Sequence, residues 1–82
     1  MFLKRLDERA KLMGRMSEAV GVDWTNEFVH LDTAASTYRG CVIRCARCDH
    51  ADACTTLLDE SADSLSAAPN YCPNKDALSA LA

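Results

Sequence analysis

The sequence is poor in glycine, proline and aromatic residues. It has three glycines, two prolines and five aromatic side chains among 82 residues, and β-branched residues are sparse. Glycine and proline interrupt helices, and β-branched residues favour strands. The composition therefore favours an all-α fold, in which aliphatic side chains and alanine fill most of the core.

The sequence also lacks a long apolar run and an excess of basic residues. No stretch approaches the roughly 20 apolar residues that span a bilayer. The first residues, MFLKRLDERAK, become charged after three positions, unlike a secretory signal. The net charge of −3 argues against non-specific nucleic-acid binding. We therefore expect a cytoplasmic protein that has a protein partner and binds neither nucleic acid nor a membrane.

The length limits how much stability the core can supply. A chain of 82 residues forms one domain, which we place at 1–82. A core of this size rarely supplies more than about 3–5 kcal/mol without a metal, disulfides or a partner subunit. We therefore look for a feature of the sequence that adds stability.

Apolar residues recur at helical spacing along much of the chain. Residues 3–20 form the clearest amphipathic pattern, and Gly21 is suited to end that helix in a left-handed conformation. The region 22–32 predicts a short turn with Trp24 and Phe28 as core anchors. The pattern as a whole predicts a compact bundle of three to four short helices. The second helix is expected to begin at Asp32 or Thr33. The third is expected to begin at Asp49 or Asp52 and to end near Glu60, and the last to begin at Asn74. One face of the second helix would carry Ala35, Tyr38, Cys41, Val42 and Cys45.

Cysteine is the residue that this sequence has in excess. Four of the five cysteines lie within CVIRCARCDHADAC at 41–54, and the fifth, Cys72, lies in YCPN. In a reducing cytosol an odd number of crowded cysteines favours metal binding or thiol chemistry over a disulfide framework. We therefore predict a four-cysteine metal-binding site between helix ends.

The spacing of the cysteines indicates which of them are ligands. Cys45 and Cys48 form a C-x2-C chelating pair, Cys54 follows nearby, and Cys72 comes from a distant segment. A clustered triple with one remote cysteine followed by proline is typical of an iron–sulfur cluster. A structural zinc site more often uses two short-spaced pairs. The pattern favours a [4Fe–4S] cluster, with Zn²⁺ as the alternative and disulfides or free thiols still open.

Several neighbours of these cysteines have less specific roles. Cys41 is expected to be a small buried hydrophobe, and His50 is an alternative ligand at a zinc site. Arg44 and Arg47 flank the chelating pair, and Asn74 begins the last helix just after Cys72. Positive charge and backbone N–H groups at these positions would stabilise thiolates.

Three segments together resemble a known family. RLDERAKLMGRM followed by GVD, then the triple that ends in CDHADAC, and finally APNYCPN are similar to a family of small bacterial proteins of unknown function. The resemblance covers most of the chain. It implies that the family cysteines match Cys45, Cys48, Cys54 and Cys72, with Cys41 outside the set. A tryptophan expected near the third cysteine is absent, and the family implies no activity.

The candidate functions follow from the cysteines alone. The first is a small iron–sulfur protein for electron transfer or for redox or iron sensing. The alternative is a structural zinc-binding interaction module without redox activity. Thiol–disulfide exchange at Cys45-x2-Cys48 would need a βαβ context that the sequence does not supply. Because no nucleophile–base motif is present and four cysteines leave no open coordination position, we do not expect an enzyme.

Overall fold

The protein folds around one long helix. The structure, a computed structural model, describes residues 2–30 and 32–82. Across these residues it contains five α-helices and no strand, so the predicted all-α class is confirmed. The helices are α1 Phe2–Ala19, α2 Trp24–His30, α3 Ala34–Ala46, α4 Ala51–Glu60 and α5 Lys75–Leu81.

The predicted number of three to four helices is wrong, because the region expected to form a turn is the helix α2. Asp23 begins it, since its Oδ1 accepts a hydrogen bond from the backbone N–H of Asn26 at 3.3 Å. Its carbonyl accepts the N–H of Glu27 at 3.1 Å. A capping aspartate thus converts a short aromatic segment into two turns of helix that pack on α3.

Two helices end in the same way, although only one of them uses glycine. After α1, Gly21 has φ +89°, and the N–H of Val22 returns to the Ser17 carbonyl at 2.8 Å. After α4, Ala62 has φ +54°, and the N–H of Asp63 returns to the Leu58 carbonyl at 3.0 Å. Both are Schellman motifs, in which a left-handed residue lets the chain satisfy the last carbonyls. The role expected for Gly21 is confirmed.

The core forms where α1, α4 and α5 meet the irregular segment at 61–74. The N–H of Leu65 donates to the Ala19 carbonyl at 2.9 Å, which fastens this segment to the end of α1. The core cluster is mainly aliphatic and includes one predicted metal ligand, Cys54. Its buried members are Met16, Ala19, Val22, Cys54, Leu58, Ala68 and Leu78.

A second, aromatic cluster joins α2 to α3. Trp24 and Tyr38 pack edge-to-face with ring centroids 5.3 Å apart, and Trp24 Nε1 donates to the buried Ser17 Oγ at 2.9 Å. Phe28 lies at the border of this cluster and is 49% exposed, so its expected role as a core anchor is wrong. On α3 the expected inner residue Ala35 is exposed, and its neighbour Ala34 is buried instead. No described helix is long and apolar enough to cross a membrane.

Candidate metal centre

All four predicted ligands line one cavity. The cavity measures about 20 Å³ and lies between α1, the end of α3, the start of α4 and residues 71–74. Cys45 comes from the last turn of α3, and Cys48 from the connection that follows it. Cys54 lies in the first turn of α4, and Cys72 in the segment before α5. The fold therefore brings a remote cysteine to the clustered triple.

The sulfur atoms share the cavity but do not form a closed coordination shell. All five cysteines of the described chain are free thiols. Among the described residues, no three cysteine, histidine or carboxylate side chains are placed closely enough to hold a metal ion. The convergence of the four thiols is thus a property of the fold, whereas their coordination of one centre stays a prediction.

The environment of the cavity favours neutral thiols. Burial, followed by the charges of Cys72, Cys45 and Cys48, raises the pKa of Cys54 from 9.0 to about 11. Burial is also the largest cause of the raised pKa values of Cys45 and Cys72. These three thiols are therefore protonated near neutral pH. A metal that bound them would have to displace their protons, so binding would strengthen as the pH rises.

Backbone N–H groups point at two of the sulfurs. The N–H of His50 donates to Cys48 Sγ at 3.4 Å. The N–H of Asn74 donates to Cys72, which partly opposes the effect of burial on the pKa of that thiol. Such bonds tune the electronic properties of metal-bound sulfur. The backbone donor expected from Asn74 is therefore present.

The arginines nearest the site are not the expected ones. Arg44 Nε donates to Asn74 Oδ1 at 2.8 Å, and Arg44 Nη2 lies 3.6 Å from Cys41 Sγ. Arg47 is exposed. Arg5 and Arg9 of α1 instead reach the end of α3. Arg5 Nε donates to the Ala46 carbonyl at 2.9 Å. This pair was not predicted from the sequence, where its only signal is the spacing of two arginines one helical turn apart in RLDER.

Arg9 also lines the cavity itself. Its Nη1 donates to the carbonyls of Cys45 and of Cys48, the second at 2.9 Å. It lowers the pKa of the Cys45 thiol, against the larger effect of burial. One guanidinium thus holds the backbone of both members of the C-x2-C pair and faces one of their sulfurs.

Cys41 and Asn74 form a buried connection beside the cavity. Cys41 is fully buried and does not line the cavity, so its predicted burial is confirmed. Asn74 is 2% exposed, and its Nδ2 donates to the Cys41 carbonyl at 2.8 Å. Asn74 immediately precedes α5, but its side chain makes no capping hydrogen bond to that helix. It instead fixes the segment that carries Cys72 to the middle of α3.

Tyr71 lines both the cavity and an open groove at the surface. Its ring packs at 4.9 Å between centroids against the ring of His50, which is exposed. Burial and the nearby thiols, Cys54 foremost among them, raise the pKa of Tyr71. His50 does not line the cavity, although its backbone N–H serves Cys48. The groove measures about 270 Å³, and its walls include Arg44 and Arg47.

Comparison with known proteins gives a family but no function. No curated protein and no solved structure matches the chain. The model of a family of unknown function, DUF6455, matches residues 1–82. The resemblance inferred from the opening helix and the cysteine pattern is therefore confirmed, and the chain belongs to the family of unknown function DUF6455.

Proposed function

We propose that this protein binds a [4Fe–4S] cluster through Cys45, Cys48, Cys54 and Cys72, and that it transfers electrons or senses redox state or iron. The observation that carries the proposal is that these four thiols, from separate parts of the chain, line one cavity. Four cysteines are the ligand set of such a cluster. The fifth cysteine, Cys41, is buried outside the cavity and is left out of the set.

The spacing of the thiols favours a cluster over a single ion. Four sulfurs around one zinc ion, each about 2.3 Å from the metal, would lie about 3.8 Å from one another. Among the described residues no three ligating side chains come close enough to hold one ion. In a cluster each cysteine binds a different iron, so the sulfurs stand farther apart. Thiols that line one cavity, but are not close enough together to bind one ion, fit that requirement better.

The size of the cavity favours the zinc alternative. A volume of about 20 Å³ accommodates one water-sized body, and an ion is of that size. A cluster would require the walls to move outward. We give the spacing more weight, because the wall at 69–73 contains no helix and is fixed to α3 at its end, by the side chain of Asn74, rather than along its length. The zinc-binding module remains the alternative that the experiment must separate from the cluster.

The chain's own residues suit a buried, negatively charged centre. Leu12, Met13 and Met16 give the cavity an apolar wall that excludes water. The N–H groups of His50 and Asn74 point at two of the sulfurs. When bound, a cluster would supply one-electron transfer, and the hydrogen bonds and low solvent exposure would set its potential. Full cysteine ligation leaves no position for a substrate, which argues for electron transfer or sensing rather than catalysis.

Purification without oxygen, followed by an absorption spectrum and metal analysis, tests the proposal. We expect a brown protein with a broad band near ~400 nm and with bound iron and sulfide. A colourless protein with one equivalent of zinc would instead support the structural module. A protein without either metal, whose helix content is unchanged by a chelator, would remove both.

A further inference from the structure

Arg5 and Arg9 lie on one face of α1, four residues apart, where they meet the end of α3. Arg5 Nε donates to the carbonyl of Ala46, and Arg9 Nη1 donates to those of Cys45 and Cys48. These bonds span sequence separations of 36 to 41 residues, so they depend on the tertiary fold. Arg9 is partly buried and is the one charged side chain that lines the cavity among the described residues.

Two of the carbonyls that these arginines bind, those of Cys45 and Ala46, belong to the last turn of α3, and the third, that of Cys48, follows two residues later. α3 ends at Ala46, and the last four carbonyls of a helix have no intrahelical donor. They also carry the negative end of the helix dipole, equivalent to about half an elementary charge. Cys45 and Cys48 lie at this end. Without compensation, the dipole would therefore oppose the negative charge of thiolates bound to a metal centre.

The last turn of α3 does not provide that compensation itself. Its basic residue, Arg44, bonds through Nε to Asn74 and lies beside Cys41 rather than in the cavity. The compensating charge therefore comes from α1. A guanidinium is suited to the task because it stays charged and can donate to two carbonyls at once.

We propose that Arg9, supported by Arg5, is a positioning residue of the four-cysteine site. It fixes the backbone of the Cys45–Cys48 turn so that both sulfurs face the cavity, and its charge raises the reduction potential of the centre held there. This inference rests on the proposed function. It also gives a role to RLDER in the opening helix, which contributes none of the predicted metal ligands.

The test compares Arg9→Gln, Arg9→Lys and a matched control, Lys11→Gln, as complete chains loaded with iron and sulfide. Lys11 lies on the same helix and carries the same charge, but it is exposed and pairs with Asp7 at 3.6 Å. Three quantities are measured: the midpoint potential, the rate at which an iron chelator bleaches the visible band, and the helix content by circular dichroism.

Loss of the hydrogen bonds from the guanidinium and loss of its charge should have separate effects. In Arg9→Gln we expect a more negative potential and a centre lost at least tenfold faster, as is typical when a group supporting a metal ligand is removed. Arg9→Lys keeps the charge but replaces the guanidinium by a shorter side chain with one ammonium group, so its potential should stay near that of the wild type while its centre is lost faster. Lys11→Gln should match the wild type in all three quantities.

The outcomes distinguish this inference from the proposed function. A wild-type chain that holds no iron and sulfide overturns the proposed function and this inference with it. A loaded Arg9→Gln with unchanged potential and unchanged rate of loss overturns the role of Arg9 alone. If Arg9→Gln fails to fold, the rate at which Arg9→Lys loses its centre tests the role of Arg9. Faster loss at normal helix content supports positioning, and an unchanged rate contradicts it.

Discussion

Replacing Asn74 by alanine should destabilise the metal-free protein more than any other single polar substitution near the cavity. The Asn74 side chain donates to the Cys41 carbonyl and accepts from Arg44 Nε, both at 2.8 Å, and is 2% exposed. Each bond contributes about 0.5–1.5 kcal/mol, and the space left by the truncated side chain adds a further cost. We therefore expect a loss of about 2–3 kcal/mol in the free energy of unfolding.

Urea denaturation of the reduced, metal-free protein, followed by far-ultraviolet circular dichroism, measures this loss. A slope of about 1 kcal/mol per molar urea converts it into a midpoint lower by about 2–3 M. Asn70→Ala is the matched control, because Asn70 lies in the same segment but is exposed, and its side chain accepts a hydrogen bond at the surface from Lys75 rather than from a buried group. Asn74→Asp keeps an acceptor for Arg44 but has no donor for Cys41, so it should also be destabilised.

A shift below about 0.5 M for Asn74→Ala, or a shift equal to that of Asn70→Ala, would refute the reasoning. Either result would mean that the buried amide does not fix the Cys72 segment to α3. The cavity would then depend on other contacts. Removing metal before the experiment is necessary, because a ligand bound to the native state adds its own stability.

Three further expectations follow from the fold. Ala62→Gly should raise the free energy of unfolding by about 0.5–1 kcal/mol, because Ala62 has φ +54° at an exposed helix end, where glycine is unstrained. Thermal unfolding measures this change, and a lower midpoint than in the wild type would contradict it. Leu58→Ala, at a fully buried site, should cost about 2–5 kcal/mol in urea denaturation, and a cost below about 1 kcal/mol would place Leu58 outside the core. The free energy of unfolding of the metal-free protein should fall by about 1–2 kcal/mol between pH 9 and pH 11, after allowance for solvent screening. The reason is that the unfolded chain releases the Cys54 proton near the usual pKa of 9.0, whereas the folded chain releases it only near a pKa of about 11. In Cys54→Ser the urea midpoint should decrease less across this pH range than in the wild type. An equal decrease would contradict the assignment of the pH dependence to Cys54.

The helices α1, α3, α4 and α5 were predictable from local signals, because they depend on periodicity and on end residues. The pattern at 3–20 predicts α1, and Gly21 predicts its end, since few other residues adopt its backbone conformation freely. The end of α4 was less visible, because Ala62 occupies a left-handed position that alanine seldom takes. The helix α2 was missed because seven residues give too short a window for a periodic pattern.

Side-chain partners in the site were harder to predict than its cysteines. Spacing alone singled out the four thiols that the fold brings to one cavity. Arg9 was not predicted, because its role depends on α1 crossing the end of α3, which no local pattern encodes. Asn74 was expected at a helix start, where asparagine commonly caps with its side chain, but tertiary packing directs that side chain to Cys41 and Arg44.

The iron and acid-labile sulfide content of three chains prepared without oxygen tests the central claim most directly. We expect about four irons and four sulfides per wild-type chain, the same content in Cys41→Ser, and near-complete loss in Cys72→Ser. Cys41→Ser is the matched control, because it makes the same substitution at a buried cysteine that does not line the cavity. A Cys72→Ser chain that keeps its iron and sulfide while Cys41→Ser loses them would contradict the account.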